Sequence, residues 1–191
     1  YNFMNINSAI NEAQIFLKKS SVKTAQLDSE ILLAEVINKN REFIILNQNH
    51  TVNKESYYQF KTLVEKRSKG KPVAYLVGKK DFWKYQFKIN EHVLIPRPDT
   101  ELIVEQVLKI SKFKSNLMIL DIGIGSGCIL LSVLKEKKDF RGIGIDISKK
   151  SVELSKLNAF NLGLLNRLKI FKTNVDNFNY GKYDLIISNP P

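Results

Sequence analysis

The stretch Ile119-Leu120-Asp121-Ile122-Gly123-Ile124-Gly125-Ser126-Gly127-Cys128 constrains this chain more than any other. An apolar run with strand character enters a glycine-rich turn, and the apolar segment Cys128–Glu136 then has the length of a helix. Glycines let such a turn close tightly and bring backbone close to a ligand, beside a helix N-terminus whose free N–H groups face the same place. The spacing is G-x-G-x-G, and Cys128 stands where a dinucleotide-binding G-x-G-x-x-G would place its last glycine. No Walker lysine follows, which excludes a P-loop. Asp121, just ahead of the turn, suits a ligand with positive charge better than a pyrophosphate. Taken alone, the glycines describe an ordinary tight turn and Cys128 a small buried helical residue.

The rest of 96–191 alternates strand and helix. Met118–Ile122, Gly142–Ile147, Leu168–Thr173 and Tyr183–Ser188 read as strands, and Cys128–Glu136 and Lys150–Leu162 as helices. Such alternation predicts a parallel, doubly wound α/β sheet. Asp146 ends the second strand 19 residues after Gly127, where an acid can accept hydrogen bonds from both hydroxyls of a ribose. Taken alone it also suits the N-cap of the next helix. The fourth strand runs into Asn189-Pro190-Pro191. The prolines stiffen that turn and donate no N–H. Their carbonyls and the Asn189 amide oxygen are therefore free acceptors, suited to a planar amino group with its two N–H donors.

Residues 1–76 read as a helical bundle. Ser8 is a candidate cap for a helix carrying Ile10, Ala13, Ile15, Phe16 and Leu17, and Thr24 for one carrying Leu27, Ile31, Leu32, Ala34 and Ile37. Asn40 opens a short helix through Leu46, and Val52–Lys69 is a longer one stopped at Gly70-Lys71-Pro72. Residues 77–95, with Phe82-Trp83-Lys84-Tyr85-Gln86-Phe87-Lys88-Ile89, read as a β-hairpin linker. Residues 96–191 read as a third region, which carries the glycine turn.

Composition removes several classes. The chain is 43% hydrophobic, enough for a real core, and no apolar run approaches the roughly 20 residues of a membrane helix. One cysteine forms no internal disulfide, and two histidines are a poor kit for zinc, so no metal is expected. The net charge of +11 is spread over all three regions, as a solvated lysine-rich surface would spread it, and gathers into no arm for nucleic acid. No basic region followed by an apolar stretch opens the chain, and a reducing cytoplasm is the expected location.

Together these pieces resemble a class I S-adenosylmethionine-dependent methyltransferase, and Asn-Pro-Pro is similar to the N/D-P-P-aromatic motif of enzymes that methylate planar nitrogens. Pro72-Val73-Ala74-Tyr75-Leu76-Val77-Gly78, Asp81-Phe82-Trp83 and Val93-Leu94-Ile95-Pro96-Arg97-Pro98-Asp99-Thr100-Glu101-Leu102 narrow the resemblance to the peptide chain release factor N5-glutamine methyltransferases of the HemK/PrmC type. It covers nearly the whole chain. It implies that Gly123, Ile124, Gly125, Ser126 and Gly127 surround the methionine part of S-adenosylmethionine, that Asp146 holds the ribose, and that Asn174 and Val175 line the adenine, where the family usually has an acid. It implies that Asn189, Pro190 and Pro191 bind the glutamine amide, with Asn189 and Pro190 catalytic and Asn189 also touching the cofactor. Pro98, Thr100 and Glu101 fall in a segment beside the cofactor's methionine end. The implied substrate is the glutamine of the Gly-Gly-Gln loop of release factors, gripped by residues 1–76.

The family has seven strands and four are counted here, so the resemblance implies a chain truncated after strand 4. Roughly 80–90 further residues are then expected, given the size of βα units. In the order 3-2-1-4, strand 183–188 would be a bare apolar edge, and a chain of this length is expected to be poorly soluble or inactive. Other readings are a ribosomal-protein glutamine N5-methyltransferase, a DNA adenine-N6 methyltransferase and a non-catalytic binding module. The DNA enzyme should add a target-recognition region and a basic cleft, and neither is evident.

Overall fold

The computed structural model describes residues 4–190, and the chain divides into two compact units, up to Val77 and from Gly78 onward. The first unit is helical: α1 (Ile6–Lys19), α2 (Ala25–Val36), α3 (Arg41–Leu46), α4 (Lys54–Ser68) and the short α5 (Val73–Val77). Helix α1 starts earlier than Ser8 because Asn5 is its cap, its side chain accepting the Ser8 N–H at 2.8 Å. That register buries Ile6, Ala9, Ala13 and Leu17 and leaves Ile15 and Phe16 outside, 57% and 44% exposed. Asn40 and Asn53 cap α3 and α4 in the same way. Thr24 stands at the N-cap of α2, but its hydroxyl donates to Asp28 rather than accepting a backbone N–H.

Two buried acids hold this bundle in register. Asp28 accepts from Arg67 Nε on α4, and Glu30 from Arg41 Nε on α3, each at 2.7 Å. Removing either arginine would strand a desolvated carboxylate, which is the costly way to break such a pair.

The second unit opens with an antiparallel hairpin, β1 (Lys79–Phe82) and β2 (Tyr85–Lys88). Phe82 and Phe87 are fully buried in the core of this unit with Val104, Leu130 and Ile170. The hairpin is thus part of the α/β body, and the expected linker of 77–95 is divided between the two units at its first residue. Helix α6 (Glu101–Ile110) follows a 3₁₀ turn at Pro98–Thr100. Then come β3 (Met118–Ile122), α7 (Cys128–Glu136), β4 (Arg141–Asp146), α8 (Lys149–Asn161), β5 (Leu168–Lys172) and β6 (Leu185–Ser188). The strands are parallel in the order β5-β4-β3-β6, the expected 3-2-1-4. Connections to the left and right of β3 diverge there, which opens a crevice at the carboxyl ends of the strands.

Close packing of β4 on the glycine turn requires Gly144. A Cβ there would stand 2.2 Å from Ile124 Cδ1 and 3.2 Å from its Cβ. Gly144→Ala is expected to cost about 1–3 kcal/mol through overpacking, read as a lower midpoint in urea denaturation.

Candidate active site

Strand register brings the expected residues into one row. Gly123 and Ile124 both donate N–H to the Ile145 carbonyl, at 2.9 and 3.0 Å, which sets the turn after β3 beside Asp146. Thr173 donates to the Asp146 carbonyl at 3.0 Å, placing Asn174 next in line. On the other side Ile122 pairs with Ser188, whose hydroxyl donates to the Ile122 carbonyl at 3.0 Å, so Asn189 emerges alongside Gly123. Asn174, Asp146, Gly123 and Asn189 thus stand at the ends of four adjacent strands.

A cavity of about 440 Å³ lies over that row. Its walls include Gly123, Gly125, Asp146, Asn174, Val175 and Asn189, closed by His92, Val93 and Leu94. A recess of about 60 Å³ adjoins the glycine turn and Asp121, and a third space of about 390 Å³ lies between Arg97, Asp99, Thr100 and Pro190. Asn189 borders all three. Pro191 lies outside the described residues.

The loop residues divide their work. Gly123, Gly125 and Gly127 all have positive φ. A Cβ on Gly123 would meet nothing within 4 Å, so its open face is turned to the crevice. Gly127 instead lets the loop sit down on the fold, since a Cβ there would lie 2.8 Å from Leu131 Cδ1. Ile124 is buried against Gly144, and Ser126 is buried with its carbonyl accepting from Asn158 Nδ2 at 2.8 Å. Both border the small recess rather than the large cavity.

Asp146 is oriented by the loop itself. Its Oδ2 accepts the Gly125 N–H at 3.0 Å and its Oδ1 the Ser148 N–H at 2.8 Å. Each oxygen retains a second acceptor position, and Asp146 lines the cavity. Ser148, not Asp146, caps α8. Asn174 accepts the Asp176 N–H at 3.3 Å and caps a 3₁₀ turn that holds Val175 at the rim.

Asp121 is 2% exposed. Burial pushes its carboxyl up to about 7, helped by the charge of Asp146 and opposed by a hydrogen bond from the Leu130 backbone. Burial likewise pushes the Cys128 thiol up to about 12, which leaves it an inert packing group.

Glu136 and Asn158 carry no signal in the sequence, and Glu101, expected beside the cofactor's methionine end, is turned elsewhere. Glu101 does not border these cavities. Its carboxylate accepts the Trp83 N–H at 2.7 Å and holds the hairpin turn, where Trp83 has φ of +57°. Glu136 accepts from Trp83 Nε1, Lys84 Nζ and Tyr85 OH, which lowers its pKa. Buried Asn158 on α8 bridges the loop and β2. Each acts across 18 to 70 residues, a separation no local pattern records. Among the described residues no helix is long and apolar enough to cross a membrane, and no cluster of His, Cys, Asp and Glu could hold a metal ion.

Comparison with known proteins matches residues 8–78 to the PrmC N-terminal domain and residues 98–191 to the methyltransferase small domain. The release factor glutamine methyltransferase of Buchnera aphidicola subsp. Schizaphis graminum is 38% identical over 190 residues, covering 98% of this chain and 67% of that protein. That of Shewanella oneidensis is 36% identical over 187 residues, covering 97% and 64%. A bifunctional methyltransferase of Rickettsia felis is 33% identical over 214 residues, covering 97% and 41%. The chain therefore spans about two thirds of the first two relatives and two fifths of the third.

Proposed function

The chain belongs to the release factor glutamine methyltransferase family, and on that premise we propose that it serves methyl transfer from S-adenosylmethionine to the side-chain amide nitrogen (N5) of a glutamine. The second unit has the class I S-adenosylmethionine-dependent methyltransferase fold. The observation that carries the reading is the placement of Asn189-Pro190 beside Gly123, at the edge of the cavity that Asp146 and Asn174 border.

The residues fit the cofactor. The open face of Gly123 leaves room for close approach, the free acceptor positions of Asp146 suit two ribose hydroxyls, and Asn174 and Val175 flank the far end for adenine. When bound, S-adenosylmethionine supplies an electrophilic methyl group on a sulfonium. The chain's own task is to present the nucleophile. An amide nitrogen is a poor one because its lone pair is delocalised into the carbonyl. The Asn189 side-chain oxygen and the Pro190 carbonyl would accept its two N–H bonds and turn the lone pair toward the crevice. Positioning and fixed dipoles then supply most of the rate. No strong base is needed beforehand, since the nitrogen becomes acidic only as it is alkylated.

The proposed substrate is the Gly-Gly-Gln loop of a release factor in the cytoplasm, with the helical unit gripping the factor. Incubation of the protein that carries this chain with tritiated S-adenosylmethionine and, in parallel, a release factor, a ribosomal protein and DNA tests this. Label is expected in the release factor alone, and lost when its loop glutamine is replaced. Label in the ribosomal protein or DNA instead would redirect the assignment.

A further inference from the structure

The buried amide of Asn158 spends nearly all its hydrogen-bonding capacity on two segments far apart in sequence. Nδ2 donates to the Ser126 carbonyl at 2.8 Å and to the Lys88 carbonyl at 2.9 Å, while Oδ1 accepts the Lys88 N–H at 2.8 Å. Ser126 belongs to the glycine turn. Lys88 ends β2, and the chain then runs through Asn90, whose Oδ1 accepts the His92 N–H at 3.0 Å, into His92, Val93 and Leu94 on the opposite wall of the large cavity.

Further side-chain hydrogen bonds hold the hairpin at its turn. Glu136 at the end of α7 takes three donors from residues 83–85, and Glu101 takes the Trp83 N–H. Those contacts pin the tip. Asn158 pins the other end of β2 and does so through the same side chain that holds the loop. Only an amide of this size fits, because the site demands two donors and one acceptor at once: a carboxylate lacks the donors and a hydroxyl has only one.

We propose that Asn158 is a positioning residue for the methyl-donor site, setting the separation between the glycine turn and the 92–94 wall. The inference rests on the function proposed above. It is tested by titrating S-adenosylhomocysteine into the chain by calorimetry. Asn158→Asp is expected to weaken binding by about tenfold or more. Phe140→Leu, a buried change ahead of β4 at the end of the sheet away from the site, serves as a control with a comparable fall in melting temperature and an unchanged binding constant. An unchanged constant in Asn158→Asp, with normal binding by the parent chain, overturns the inference alone. Absence of binding by the parent chain overturns the proposed function and this inference with it. Should Asn158→Asp fail to fold, amide exchange in the parent chain decides. Saturating S-adenosylhomocysteine is expected to slow exchange of the Lys88 and Gly127 amides together, by roughly threefold or more. Slowing at Gly127 with no change at Lys88 overturns the coupling.

Discussion

In the complete enzyme Asn189→Ala is expected to reduce methyl transfer to glutamine by roughly a thousandfold while shifting cofactor affinity by less than about threefold. The asymmetry follows from what the substitution leaves in place. The backbone at this point is set by the parallel pairing of Ser188 with Ile122, by the Ser188 hydroxyl on the Ile122 carbonyl, and by the fixed φ of Pro190. None of these involves the Asn189 side chain. Loop glycines and Asp146, proposed to carry most of the cofactor contact, are held from β3 and β4 by their own bonds. What disappears is one of two acceptors for the substrate amide. A glutamine nitrogen held by the Pro190 carbonyl alone can rotate about that bond, and its lone pair is no longer aimed along the line of displacement. Single-turnover rates against a release factor, set beside calorimetric binding of S-adenosylhomocysteine, measure the two effects separately. Normal turnover in Asn189→Ala would refute the proposed role, and loss of cofactor binding with the rate would reassign the residue to the cofactor. Asn189→Asp keeps an acceptor of similar shape and should retain more activity than alanine.

The parts of this site legible in sequence are those whose physics is local. The bounds of β3 and α7 fall where the apolar run, the glycines and the helix-length segment place them, at Met118–Ile122 and Cys128–Glu136. Asp146 was legible because its distance from the loop is a property of one βα unit. The residues that fix the geometry were not. Asn158 and Glu136 are polar positions on helices, and by pattern alone both read as a solvated face. Their partners lie 32 to 70 residues away. Glu101 lies in a motif that points to the cofactor, yet in the fold its carboxylate is turned to the Trp83 amide. Helix α1 shows the same limit on a smaller scale. Asn5 and Ser8 are both good caps, and the choice between them, which sends Ile15 and Phe16 outward, is made by packing of Ala9 and Ala13 in the helical core. The raised pKa of Asp121 is equally invisible in sequence, since an acid ahead of a glycine loop becomes a titrating group only once the fold removes its water.

That group yields the second large expected effect. Asp121 has an ordinary value of 3.8 and is pushed up to about 7 by burial in the fold. Between those two values the folded chain keeps a proton that the unfolded chain has released. The fold therefore loses stability as pH rises from about 4 to 7, on the order of 4 kcal/mol from this group, and the loss levels off above pH 7. Asp121→Asn removes this contribution, so the variant should gain on the parent chain as pH rises and be the more stable of the two at pH 8. Urea denaturation at pH 5, 6, 7 and 8 reads the difference, and parallel curves for the two chains would refute the buried titration. Ligand binding carries the same linkage with a useful sign. A cationic methyl donor next to the recess that Asp121 shares with Arg97 and Asn189 favours the ionised carboxylate. Below pH 7 the proton must leave first, so affinity should climb by up to about tenfold per pH unit toward pH 7 and flatten above it. Calorimetry at pH 6 in two buffers of different ionisation enthalpy should show close to one proton released per ligand bound. In Asp121→Asn both the release and the pH dependence should vanish and affinity at pH 8 should fall, so that the change which strengthens the fold weakens the site.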